Sequence, residues 1–477
     1  MAVVRIPLPW IVGGVIWGAA AVGAAQDMGR GLDLAAFQDG LSEAIERAER
    51  SVVAIARVRR DQPGETFGFE FRPDPFGRPL QPVSPPQPTD PDFIPTEYAT
   101  GVVIDRRGLI LTTYHVLGEN SDYFVTTADR RVHRATVRAA DPRSDLAVLA
   151  IDTSDLPVIS FGDARRLRKG HIVVALGNPY AIARDGQVSA SWGIVSNLAR
   201  KAPPAERSDT AAQNTLHHFG TLIQTDARLT LGTSGGALLD IEGQMVGLVT
   251  ALPDVPGYQH AAGYAIPVDE TFRRVVETLK EGREVEYGFL GVNPAGLSMH
   301  EVLEGNHGVR VQVLPGTPAA GSGMRNNDVI TRVGGETIFD TDDLMLYVGR
   351  QPAEALVELE VLRGERTMNV PVTLAKYPVQ GGQIVTSPAP SWRGLRVDFV
   401  TAHVSAVMHF PEGVVATEVE EASPAWKAGL RPGMIIRQVG RDAVRAPRQF
   451  HAAVANRRGT VSVTVDGQPS PLEIEPP

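Results

Sequence analysis

Three short segments carry side chains whose types together suit acyl transfer: His115 in LILTTYHVL, Asp145 in DPRSDLAVL and Ser234 in the glycine-bounded LGTSGGALL. Amide hydrolysis by a serine needs a hydroxyl activated by a neutral imidazole. It also needs a carboxylate that fixes the imidazole tautomer, and N–H donors aimed at the developing oxyanion. Gly232 can adopt the backbone conformation that turns its N–H and that of Ser234 toward one oxygen, while Gly235 and Gly236 keep the approach to Ser234 open. Taken singly, each segment has an ordinary reading: a surface histidine, a turn aspartate, a tight glycine turn. Their joint presence carries the inference. A metal centre is not expected, because His217, His218 and His260 show neither HExxH nor another ligand spacing and read as solvated loop residues.

The segments that must bring these residues together read as mainly β. From Thr100 to Val268 short β-branched runs alternate with turn signals, a pattern that indicates a sandwich or a pair of barrels. His115 falls at a strand end, Asp145 just before a buried strand, and Ser234 in a turn. Before them, Leu34, Phe37, Leu41 and Ile45 recur at helical spacing within 32–52, and VVAIARV reads as a strand. The stretch from Arg60 to Thr96, with Pro85, Pro86, Pro88 and Pro91, cannot sustain a hydrogen-bonded ladder and reads as a long loop inserted between two strands of one sheet. After the strands, VDETFRRVVETLKEG places Phe272, Val275, Val276 and Leu279 on one helical face, with Gly282 as terminator.

The remaining chain repeats itself. GVRVQVLPGTPAAGSGMRNNDVITRVGGETI, from Gly308, matches GVVATEVEEASPAWKAGLRPGMIIRQVGRDAV, from Gly413, with the same order of strand, small-residue helix, glycine turn and strand. A Gly, Ser and Pro-rich segment, 379–390, reads as the linker between the two modules. At the other end, Arg5 precedes an apolar run from Ile6 to Ala25, with Gly23, Ala24 and Ala25 before Gln26. This run reads as a signal peptide or an uncleaved membrane anchor. The expected division is therefore an export segment at 1–25, a catalytic domain at 31–285, a first module at 286–377, a linker at 378–390 and a second module at 391–477.

Composition narrows the function classes. The 477 residues are 43% hydrophobic and 21% charged, with 48 Gly and 36 Pro, as in a turn-rich multidomain chain. A net charge of -9 supplies no basic face for phosphates, so nucleic acid is not an expected partner. With no cysteine, a thiolate nucleophile, a disulfide and a Cys-ligated zinc are all excluded.

The successive segments LTTYHV, SDLAVLAID, VALGNPY, IQTDARLTLGTSGGALLD, GLVTA and GYAIP resemble the signature segments of the HtrA/DegP serine proteases, over roughly 45–475 of the chain. The resemblance implies a mainly β fold, a chymotrypsin-like double β-barrel followed by two PDZ-like α+β domains. It further implies a triad of His115, Asp145 and Ser234, an oxyanion hole at Gly232 and Ser234, trimers or higher oligomers, no cofactor, and a periplasmic or envelope location. The sequence departs from the family at Thr233, where Asn is usual, at Thr230-Leu231, where Asn-Pro is usual, and at Tyr114, where Asn is common. A polar stretch, 200–220, stands as an insertion.

Substrate residues in such folds pair as a strand with the segment after the nucleophile, so Leu248, Val249 and Thr250 are expected to line the subsite and to favour small or medium aliphatic residues. Phe289, Leu290, Gly291 and Val292 match the loop by which a PDZ domain holds a peptide carboxylate. In the second module Gly394, Leu395, Arg396 and Val397 take that place. Unfolded polypeptides and peptide C-termini are the expected partners. A proteolytically silent chaperone or scaffold that uses only its PDZ domains is the competing reading.

Overall fold

A computed structural model describes residues 34–60, 97–178, 187–201, 221–230, 232–250, 263–379, 382–403 and 410–477. The export segment, the proline-rich stretch, most of the 200–220 insertion, and with them His217, His218 and His260, lie outside the described residues. Among the described residues no helix is long and apolar enough to cross a membrane.

Helix α1 (Leu34–Ala48) runs into a 3-10 turn at Glu49–Ser51. Leu41 and Ile45 pack against the core cluster that contains Ala48, but Leu34, expected on the same apolar face, is exposed. Six strands then close a first barrel: β1 (Val52–Arg59), β2 (Glu97–Asp105), β3 (Leu109–Thr113), β4 (Ser121–Thr126), β5 (Val132–Asp141) and β6 (Leu146–Ile151). The ring runs β5-β4-β1-β2-β3-β6, and β6 returns to β5. A second closed barrel comprises β7 (Ile172–Gly177), β8 (Ser189–Lys201), β9 (Thr221–Thr225), β10 (Ala237–Leu239), β11 (Met245–Thr250) and β12 (Gly263–Pro267). Val53, Ile55 and Leu149 fill the first barrel, and Val173, Val195 and Val249 the second. Val102, Leu111, Leu146, Leu176 and Leu248 form a third core. It also takes the buried face of helix α2 (Glu270–Lys280), whose Asp269 cap accepts the Phe272 N–H. Facing side chains from both barrels thus meet in one apolar layer, which fixes the two barrels relative to each other.

The first tail module comprises β13 (Gly288–Phe289), β14 (Val292–Gly296), α3 (Met299–Leu303), β15 (Val309–Val313), α4 (Pro318–Gly321), β16 (Val329–Val333), β17 (Glu336–Thr337), α5 (Thr341–Gly349), β18 (Leu356–Arg363), β19 (Arg366–Thr373) and β20 (Ala375–Lys376). Its main sheet runs β14-β15-β16-β18-β19, so β14 is an edge, while β13 and β20 pair apart from it. The segment between the modules is not a spacer. Ile384–Val385 forms β21, whose two residues pair with Ala140 and Ala139 of β5. The reason lies in the first barrel: β4 pairs only with 132–135 of β5 and leaves that edge open farther along. Two β-branched residues fill the gap, and the N–H groups of Thr386 and Ser387 both reach the Gly282 carbonyl.

The second module repeats the first with β22 (Leu395–Phe399), α6 (Val400–His403), β23 (Val414–Val419), α7 (Pro424–Lys427), β24 (Ile435–Val439), β25 (Asp442–Ala443), α8 (Pro447–Val454), β26 (Val461–Val465) and β27 (Leu472–Ile474). Its sheet order, β22-β23-β24-β26-β27, reproduces that of the first.

Candidate active site

Hydrogen bonding from β3 to β6 registers Thr113 opposite Leu146, which brings the residues that follow the one and precede the other side by side. His115 therefore meets Asp145. The backbone is held twice: the Tyr114 N–H donates to the Asp145 carbonyl at 2.9 Å, and the His115 N–H to Asp145 Oδ1 at 2.9 Å. Asp145 adopts φ +57°, a left-handed conformation tolerated by aspartate and stabilised here by these bonds. Its carboxylate is fully buried and lies 2.9 Å from His115 Nδ1 through Oδ2. The Thr250 hydroxyl donates to the same Oδ2 at 3.2 Å. An ionised carboxylate only accepts, so Nδ1 carries the imidazole proton and Nε2 keeps its lone pair. Burial would lower the His115 pKa, but the charge and hydrogen bond of Asp145 outweigh it, and the net shift is upward.

Ser234 lies in a turn clamped by the first barrel. Thr100 on β2 donates its N–H to the Ser234 carbonyl at 2.8 Å and its hydroxyl to the Gly232 carbonyl at 2.7 Å. Its own carbonyl accepts the Thr112 hydroxyl at 2.8 Å, three positions before His115. From the second barrel, Val249 takes the Gly235 N–H and gives its own N–H to Gly236, both at 2.8 Å. The turn is thus fixed to the strand that leads to His115 and to the strand whose Thr250 holds Asp145. Gly232 takes φ +93°, a left-handed conformation that glycine adopts without strain.

Gly235 and Gly236 are also required by close backbone packing. A Cβ on Gly235 would lie 2.0 Å from the Thr100 carbonyl oxygen, and one on Gly236 2.2 Å from that of Leu176. Both let the turn sink against neighbouring backbone. Thr233, in place of asparagine, donates its hydroxyl to the Thr230 carbonyl at 2.6 Å. Its methyl faces Gly177, where an added Cβ would come within 2.9 Å. The Tyr114 hydroxyl points at the segment between the tail modules, 2.5 Å from where a Gly382 Cβ would stand.

The subsite expectation is corrected at all three positions, since the Thr250 side chain is also buried, with its hydroxyl on Asp145. Leu248 and Val249 are fully buried, one between the barrels and the other inside the second. β11 is also occupied on both sides, by β10 and the nucleophile turn on one and by β12 on the other, as far as Thr250. Among the described residues β11 therefore offers no free edge to a substrate strand. Neither Thr100 nor the Thr250–Asp145 bond was foreseen, since nothing local distinguishes those threonines in the sequence.

The loop that bears Asp145 is anchored to the first tail module. Asp141 Oδ2 accepts from the Ser144 N–H at 2.9 Å, from the Ser144 hydroxyl at 2.6 Å and from the Tyr287 hydroxyl. Burial raises the pKa of the Asp141 carboxyl and, with the neighbouring Asp141 charge, that of the Tyr287 phenol. Tyr287 precedes β13 and accepts the Tyr377 N–H on its carbonyl at 2.8 Å, so both ends of the module converge on this loop.

In the first module Gly291 takes φ +83°, with Thr317 where its Cβ would be, and its carbonyl accepts the Leu314 N–H at 3.0 Å. Leu290 is buried and its carbonyl accepts the Ala319 N–H at 3.0 Å, while Phe289 belongs to β13 and Val292 begins β14. The second module has the same device two residues earlier than expected. There Gly394, also at φ +83°, faces Ser423 and bonds Glu420, and Arg393 bonds Ala425. Arg393-Gly394-Leu395 are therefore the counterparts of Leu290-Gly291-Val292, and Arg396 displaces no glycine. Leu395 exchanges two 2.9 Å bonds with Trp392 and so closes that loop upon itself.

Two six-stranded barrels with a histidine–aspartate pair and a clamped serine turn at their junction, followed by PDZ-like modules, define a trypsin-like serine protease. Residues 99–248 match the trypsin-like peptidase domain and 288–374 the PDZ domain. The chain belongs to the HtrA/DegP-like family of serine endoproteases. It is 30% identical over 410 residues to the probable periplasmic serine endoprotease DegP-like of Chlamydia trachomatis, with 84% of this chain and 77% of the relative covered. A Pseudomonas putida protein of the same name is 30% identical over 439 residues, covering 85% and 86%. Among solved structures, the HtrA-type protease AlgW with tripeptide superposes with TM-score 0.53 at 25% identity, covering 71% of this chain and 98% of that one.

Proposed function

We propose that this endopeptidase degrades unfolded or damaged proteins in the periplasm, with Ser234 as nucleophile, His115 as general base and Asp145 as the group that orients and charges the imidazole. In this scheme His115 Nε2 removes the Ser234 proton as the hydroxyl attacks the peptide carbonyl. The N–H groups of Gly232 and Ser234 receive the oxyanion, and the imidazolium then protonates the leaving amine. The observation that carries the reading is the buried Asp145 carboxylate, which binds His115 through both its backbone and its ring.

Peptide C-termini dock on the first tail module, which raises the effective concentration of a tethered substrate at the barrels. Periplasmic location and assembly into trimers or larger oligomers complete the proposal. The relatives' names support the location, and the family supports the assembly. Digestion of casein by the mature protein beside Ser234→Ala tests the chemistry. The variant is expected to lose activity on the order of a millionfold, and equal residual activity in the two overturns the mechanism.

A further inference from the structure

The first module's edge strand has an outward face that can be read residue by residue. The Gly291 carbonyl points inward, to the N–H of Leu314 just past the end of β15. Val311 sits opposite Pro294, yet its N–H goes to the Asp328 carbonyl and its carbonyl to the Asn327 N–H, both away from β14. In an antiparallel pair both backbone groups of a residue face the same side, so Val311 leaves Pro294 unpaired and the backbone of Pro294 faces outward. Alternation makes Val292, Pro294 and Gly296 the residues presented to any added strand. Residues 293–296 are exposed. α5 lies beside this edge and forms the other wall of the groove.

A peptide that enters antiparallel with its carboxylate at Leu290-Gly291-Val292 sets its last residue against Val292 and its third-from-last against Pro294. The last residue finds a complete partner: the Val292 N–H for its carboxylate and the Val292 carbonyl for its N–H. The third-from-last residue finds a carbonyl for its N–H but no donor for its own carbonyl, because proline has none.

We infer that Pro294 sets how far this groove reads a bound chain: recognition rests on the carboxylate and the last residue, and backbone pairing is broken at the third. This builds on the reading of the first module as a site for peptide C-termini. An edge proline also blocks sheet-to-sheet association, but here it stands two residues beyond a preformed glycine loop, where it shortens pairing without closing the entrance. The second module cannot take over the task, because Leu395, the counterpart of Val292, has both backbone groups engaged by Trp392. The consequence is a site tolerant of upstream sequence, suited to chain ends that share only their final residue.

The test uses the full chain carrying Ser234→Ala, which leaves the probe uncut, with and without Pro294→Ala. Fluorescein-labelled decapeptides ending in Val, Leu, Phe or Ala are titrated as free acids and as C-terminal amides. A second set replaces the amide between the third- and second-from-last residues by an ester, which weakens the carbonyl facing residue 294. Pro294→Ala restores a donor and is expected to tighten binding of the acids about fivefold, the worth of one ordinary hydrogen bond. The ester should cost nothing with Pro294 in place and about the same factor in the Pro294→Ala protein. Acid-dependent binding that neither change alters overturns the inference alone. Binding that is equal for acids and amides, or absent from both proteins, overturns the peptide-capture reading beneath it. Pro294 is exposed, so thermal unfolding of the variant should match that of its parent.

Discussion

The guanidinium of Arg143 lies 3.9 Å from the centroid of the Tyr377 ring, two residues before the aspartate that holds His115 and at the last strand of the first tail module. The Tyr287 ring lies on it at 4.4 Å. The Asp145 loop is therefore packed against aromatic residues that enter and leave another domain. Arg143 is buried in this stack, and burial pulls its pKa down to about 9.

Tyr377→Leu keeps apolar bulk but removes the ring face from Arg143. It is expected to destabilise the chain by about 1 to 2 kcal/mol, the scale of a desolvated cation–π contact, and to lower activity as the Asp145 loop loosens. Thermal unfolding and casein digestion measured on the same preparation check both effects.

The upward-shifted His115 fixes the sign of the pH dependence. The base works only when neutral, so kcat/KM should fall as pH drops through a value above the ordinary 6.5 of imidazole. Asp145→Asn removes the charge responsible, which should lower activity by roughly ten thousandfold and displace the residual acid limb downward. An acid limb that stays put in Asp145→Asn contradicts the assignment of cause.

Thr250→Val removes the hydroxyl on Asp145 Oδ2 and retains shape. A hydrogen bond to a charged group supports a loss of roughly tenfold in kcat, with little change in KM because the side chain is buried. A loss confined to KM assigns Thr250 to substrate contact instead.

Gly235→Ala combines φ +84° with a methyl driven into the Thr100 carbonyl. Strain of this kind amounts to about 1 to 3 kcal/mol before any clash is relieved, so the variant should melt well below the parent and show little protease activity. Ser234→Ala, which introduces no Cβ, should melt with the parent.

What the sequence disclosed follows how local each signal is. His115, Asp145 and Ser234 stand in short patterns whose chemistry can be recognised without a fold, and the two tail modules announce themselves by repetition. The Thr100 clamp joins residues more than a hundred positions apart and leaves no local trace. Leu248 and Val249 show the limit of strand reasoning: the alternation was legible, but both edges of β11 fill only when the barrel closes. The second glycine loop was misplaced by two residues because Gly394 is identified by its positive φ and its contact with Ser423, which letters alone do not carry.

The two-residue strand β21 bears on how this chain can be shortened. A chain ended after the first tail module would lose Ile384 and Val385 and leave Ala139 and Ala140 of β5 as a bare, apolar sheet edge on the catalytic barrel. Such a fragment is prone to self-association through that edge, and altered turnover in it would report barrel repair as much as loss of the second module. Cutting after Pro390 keeps the barrel whole, and it is the deletion by which the second module's own contribution can be measured.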